Sequence, residues 1–247
     1  MDHGWHEKGR GESNNHALLR MVRTRGKLIV FEGAEGAGKT TQIRLLAERL
    51  GAAGVSCVAV REPGGTPVGD AIREILLHPE KEITAATEAL LFMASRAELV
   101  AREILPALAE GTVVLVDRFF LSTYAYQIVG RGLSEPEVRA ANRLATGGIV
   151  PDLTLLLDVQ AHEGLGRADA RGARDRIERT GDEFHQRVSS AFRQFADPAW
   201  QHSHPECGPI KLIDGTDDEM TVHSRVSSAL AATFPETFGR IKTSRTA

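Results

Sequence analysis

Short, continuous apolar runs alternate along most of the 247 residues with stretches whose apolar positions recur at helical spacing. The run from Lys27 to Glu32 ends at a glycine and reads as a buried strand. From Lys39 to Leu50 the apolar positions Ile43, Leu46, Ala47 and Leu50 mark one face of a helix, and Val55 to Val60 returns to strand. The chain therefore opens with a βαβ unit, whose right-handed crossover gathers loops at the carboxyl ends of parallel strands. A Gly/Pro-rich loop at 62–67 precedes a helical pattern to about Leu77, and Thr84 to Leu108 is a long helical stretch. Val113–Val116 and Leu153–Leu157 are further buried strands, each running into an aspartate, and Ile210–Ile213 is a fifth. The pattern predicts one α/β domain over 26–234, with an arginine-rich flap at about 164–181 and a loose tail at 235–247.

Composition narrows the function. Hydrophobic content of 42% and charged content of 26% suit a globular protein, and a net charge of −3 gives no electrostatic reason to expect nucleic acid as partner. No apolar run approaches the ~18 residues of a membrane span. Cys57 and Cys207 are far apart, without metal-type spacing, as in proteins of a reducing, cytoplasmic compartment. Residues 1–25 are polar and lack the apolar core of a signal peptide; a disordered extension is expected, with Met21 a candidate alternative start.

Gly33-Ala34-Glu35-Gly36-Ala37-Gly38-Lys39-Thr40 matches the G-x-x-x-x-G-K-[ST] pattern between a predicted strand and a predicted helix. Its glycines let successive backbone N–H groups, with that of Thr41 beyond, face one anion at a helix N-terminus. Lys39 then reaches the β- and γ-phosphates of ATP, and Thr40 holds Mg²⁺. No N-K-x-D-like segment of a guanine-binding switch follows.

Arg61 stands where the second strand ends, hence beside the phosphate loop, and a guanidinium suits a second, monophosphate group. Asp117 closes the third strand, where a carboxylate orients Mg²⁺ or its waters; Arg118 beside it can neutralise the transferring group. Phe92 and Arg96 lie four apart and share a helix face that can stack on a base and bond its edge, although Phe92 alone fits a core position equally well. Residues 122–127 offer hydroxyl and amide groups able to read a pyrimidine and its sugar. Arg167, Arg171, Arg174, Arg176 and Arg179 form either a solvated face or a lid that brings cations onto reacting oxygens.

Taken together, the segments FEGAEGAGKTTQ, REPGGTP, LLFMASR, DRFFLSTYAYQ, PDLTLLLDV and DRIE resemble thymidylate kinases, in that family's order, over roughly 27–229. The resemblance implies a P-loop NTPase three-layer fold, a five-stranded parallel sheet flanked by helices with an arginine-rich lid, and assembly as a homodimer. It implies direct in-line transfer from ATP to dTMP. Two rivals stand beside that reading: dUMP or a modified pyrimidine deoxynucleotide as acceptor, since one methyl group discriminates by only ~1–3 kcal/mol, and a non-catalytic nucleotide sensor. Glu35 would meet the deoxyribose 3′-hydroxyl, and Arg61 and Arg118 the acceptor phosphate. Phe92 would stack on thymine and Arg96 bond it; Thr123, Tyr126 and Gln127 would complete the pocket, with Tyr126 crowding out a ribose 2′-hydroxyl. With no arginine inside the phosphate loop, the catalytic arginine would come from the lid, as Arg171 or Arg174. The sequence departs from the family pattern at Ile128-Val129, where glycine is expected, and at Ser95, where an acidic residue is frequent.

Overall fold

A computed structural model describes residues 25–159, 164, 166 and 175–241. The extension, apart from Arg25, and the flap residues Arg167, Arg171 and Arg174 lie outside the described residues. The strands are β1 (Leu28–Glu32), β2 (Cys57–Arg61), β3 (Val113–Asp117), β4 (Leu153–Asp158) and β5 (Ile210–Asp214). They form one sheet in the order β2-β3-β1-β4-β5, with every neighbouring pair parallel. The order explains the composition of the runs. The inner strands β3, β1 and β4 are buried on both faces and so read as near-continuous apolar stretches, whereas the edge strands β2 and β5 are partly exposed.

Helices cover both faces: α1 (Lys39–Ala52), α2 (Pro67–Leu77), α3 (Ala85–Leu99), α4 (Leu105–Ala109), α5 (Phe120–Thr123), α6 (Glu135–Thr146), α7 (Asp182–Phe195), α8 (Pro198–Ser203), α9 (Glu219–Thr233) and α10 (Pro235–Phe238). Strand alternation divides the core in two. Leu28 and Val30 of β1 point, with Val114, Val116 and Leu156, toward α3, α4 and α7. Ile29 and Phe31 point, with Leu115, Leu155 and Leu157, toward α1 and α9. Local signals set the helix starts: Thr66 accepts the Gly69 N–H ahead of Pro67, Thr84 caps α3, and Asp218 caps α9.

Two differences from the sequence reading have physical causes. The helix expected over 84–108 widens into a π-helical turn at Val100–Ile104 before α4. Pro106 has no N–H for the ordinary ladder, and the wider turn accommodates it. The tail expected to be loose from 235 is packed as far as Ile241, because Phe238 and Ile241 insert fully into the core under α9. A second π-helical turn, Tyr124–Gly130, follows α5 and carries Tyr126 and Gln127.

Candidate active site

The carboxyl ends of β1, β2 and β3 open into a cleft of about 1090 Å³, above the roughly 300–1,000 Å³ usual for one small-molecule pocket. At one end β1 leaves the sheet through Gly33, at φ 142°, where a Cβ would come within 2.5 Å of the Leu157 carbonyl oxygen. Only glycine fits there. Gly38, in the left-handed region, opens α1 without a side-chain cap, so the first-turn N–H groups of α1 are left to an anion.

Lys39 folds back over this loop, donating to the Gly33 and Ala34 carbonyls at 3.0 and 2.9 Å. Burial, helped by Arg118, pushes its pKa down to about 8 against the pull of Glu35, Asp117 and Glu32. Thr40 Oγ1 donates to Asp117 Oδ2 at 2.6 Å, so a hydroxyl and a carboxylate sit together beside the loop. That pair of hard oxygen donors is the set expected for Mg²⁺ bridging to phosphates.

Arg118 sits at φ 69°, an unusual backbone state for a residue with a side chain. Glu32, fully buried at the end of β1, stabilises the bend. Its carboxylate accepts the Phe119 and Ser122 N–H groups and the Ser122 hydroxyl, at 2.7, 3.0 and 2.7 Å. The guanidinium is thereby aimed back over the loop, 2.8 Å from Glu35 Oε2 and 5.2 Å from the Tyr126 ring centroid. Burial disfavours its charge, but Tyr126, Glu35, Asp117 and Glu32 outweigh that and raise its pKa. Burial likewise pushes Tyr126 up to about 12, so its phenol stays protonated.

Arg61 lies across from Asp117 in the β2–β3 register and lines the cleft, its side chain without a hydrogen-bond or ion-pair partner among the described residues. Arg73 of α2, which the sequence reading did not single out, lines the same wall. Its NH1 bonds the Pro63 carbonyl at 2.8 Å, and burial and Arg61 lower its pKa.

Phe92, Arg96, Thr123, Tyr126 and Gln127 line the far end of the same cleft, and the Arg96 guanidinium is taken up by protein groups. It is 2% exposed, and its N–H groups all meet protein acceptors: Glu62 in a bidentate pair, the Thr123 hydroxyl at 2.8 Å, Asn142 Oδ1 at 2.6 Å and the Phe119 carbonyl at 2.8 Å. This end of the cleft therefore presents the Arg96 network rather than a free guanidinium. Ser95, the departure from the family pattern, accepts the Gly64 N–H at 3.0 Å and steadies the turn that presents Glu62.

Sequence comparison agrees with this geometry. A model of the thymidylate kinase family matches residues 31–208. The chain belongs to the thymidylate kinase family. It is 51% identical over 202 residues to a thymidylate kinase of Synechococcus sp., covering 82% of this chain and 94% of that one. It is 43% identical over 206 residues to a thymidylate kinase of Caldanaerobacter subterraneus, covering 83% and 95%. A thymidylate kinase of Pseudomonas fluorescens is 52% identical over 177 residues, covering 70% and 84%. Within this family frame, the residues that sequence reasoning missed are mostly supporting carboxylates and amides: Glu32, Glu62, Glu88 and Asn142. What they share is burial, which their sequence settings do not show: Glu62 follows Arg61 in a Gly/Pro-rich loop, and Asn142 precedes Arg143.

Proposed function

We propose that the chain transfers the γ-phosphoryl group of ATP to dTMP, giving dTDP. The observation that carries this reading is a single cleft with two anion-binding ends on adjacent strand tips. The glycine loop with Lys39 and Thr40 suits a triphosphate, and Arg61 and Arg118 suit a monophosphate facing it. Loop amides from Gly33 to Thr41 hold the donor, and Lys39 swings from the Gly33 and Ala34 carbonyls onto its outer oxygens. Thr40 and Asp117 would hold Mg²⁺, which when bound neutralises charge on the donor phosphates. Arg61 holds the acceptor phosphate, Arg118 draws charge from the oxygens between donor and acceptor, and an already anionic acceptor needs no general base. Glu35 meets the sugar 3′-hydroxyl from its seat beside Arg118, Phe92 stacks on the base, and Tyr126 fills the space a 2′-hydroxyl would need. Arg171 or Arg174 supplies the lid cation.

Homodimer assembly, which the family resemblance implies, is supported by Val68 of α2, Leu90 of α3 and Leu144 of α6, exposed by 52%, 62% and 86% on helices that pack together. No helix among the described residues is long and apolar enough to cross a membrane. The two free cysteines suit a cytoplasmic site of action.

The test is ADP release over a panel of nucleoside monophosphates. The expected result is the highest kcat/KM with dTMP. Absence of turnover with every pyrimidine monophosphate would identify a sensor instead, and an optimum with dUMP would reassign the acceptor.

A further inference from the structure

Glu88, on the first turn of α3, has only 1% of its surface exposed and has no part in the transfer chemistry above. Two arginines from different segments converge on its carboxylate. Arg131 bonds it through Nε and NH2 at 3.1 and 3.0 Å, and Arg176 through NH2 at 2.7 Å. Both are themselves fixed: Arg131 lies over the Phe184 ring, and Arg176 also bonds the Leu76 carbonyl at 2.7 Å. Burial alone would raise the Glu88 pKa, but the Arg131 and Arg176 contacts outweigh it and lower it, so the group stays ionised.

An ionised carboxylate can only accept hydrogen bonds. Its third partner is the Gln127 side chain, whose Nε2 lies 3.1 Å from Glu88 Oε1. This contact decides which end of the amide faces Glu88, because a carbonyl turned that way would oppose like charge. The amide oxygen is therefore the end that remains. Among the described residues nothing donates to Gln127 Oε1, and Gln127 lines the far end of the cleft.

We infer that Glu88 is a positioning residue for base selection: by holding the Gln127 nitrogen it presents the amide oxygen to the base pocket, so the cleft accepts a pyrimidine with an N–H at ring position 3 and disfavours one with a lone pair there. Thymine and uracil carry that N–H; cytosine carries the lone pair. The inference rests on the proposed placement of the base beside Gln127, and it adds a reason for refusal of cytosine that no residue touching the base supplies by itself.

The experiment measures kcat/KM for dTMP and dCMP in the wild type and in Glu88→Gln, with thermal midpoints recorded for both proteins. Wild-type turnover of dTMP checks the proposed function separately. In Glu88→Gln the neighbouring amide can either donate or accept, so Gln127 is free to turn over. The dTMP/dCMP preference is expected to fall about tenfold or more, with dCMP rising in absolute terms, as for release of one mismatched buried hydrogen bond. A merely structural role would lower both substrates together, and a preference unchanged within about twofold overturns the inference. Where Glu88→Gln does not fold, Gln127→Met leaves Glu88, Arg131 and Arg176 paired. It too is expected to lower the preference about tenfold, and an unchanged preference there equally overturns the inference.

Discussion

The two ends of the cleft are built by opposite means. At the phosphate end the ligand-facing groups are backbone amides from one contiguous loop, shaped by Gly33 and Gly38, with a single lysine folded over them. At the base end the groups are side chains from the β2 loop, α3, α5, the π-helical turn and α6, already bonded to one another around Arg96 and Glu88. A local backbone cradle tolerates change around it. A cross-linked set of buried polar groups does not, since removing one member leaves the others unpaired.

The largest expected contrast lies in turnover. Arg118→Ala is expected to lower kcat by at least ~100-fold in a coupled ADP assay, because it removes charge stabilisation at the transferring group. Normal kcat with a lowered thermal midpoint would show instead that Arg118 serves only to hold Glu35. At the base end the expected loss is in stability. Arg96→Leu strands the Glu62 carboxylate in the interior and is expected to cost about 3–5 kcal/mol in urea unfolding. A cost below ~1 kcal/mol combined with a raised KM for dTMP would mean that the base, not Glu62, is the main partner of Arg96.

The smallest effect is one of protons. Lys39 is depressed from its ordinary 10.5 to about 8, and a bound triphosphate favours the charged amine and lifts it again. Above about pH 8 the free protein has lost that proton, so ATP binding takes one up; well below it, the amine is already charged and no uptake remains. Calorimetry in buffers of differing ionisation enthalpy should show uptake approaching roughly one proton at about pH 9 and little at about pH 6.5, as the difference between wild type and Lys39→Met. An equal difference at both values would place the amine elsewhere on the pH scale.

The same contrast explains what could be read in the chain. The three inner strands were legible because a strand covered on both faces is apolar along most of its length, as β1, β3 and β4 are apart from Glu32, Thr154 and the closing aspartates of β3 and β4. The phosphate loop was legible because everything it needs lies within eight or so consecutive residues of one motif. Helical spacing put Phe92 and Arg96 on one face, and both line the cleft. It could not show that Glu62, Thr123, Phe119 and Asn142 come from elsewhere to occupy every Arg96 donor. Nor did the polar C-terminal composition reveal that Phe238 and Ile241 complete the core; the four-residue step from Phe234 to Phe238 was the available sign.

Arg61 and Asp117 face one another as register partners at the tips of β2 and β3, and the Glu62 N–H bonds the Asp117 carbonyl oxygen just beyond them. Adjacent strands lie roughly 4.8 Å apart whatever side chains they carry. The gap between the arginine and the aspartate is thus ruled by the main-chain ladder, like the pitch of a comb. A change at the base end would leave the spacing of these two strand tips untouched, because the ladder and not the side chains sets it.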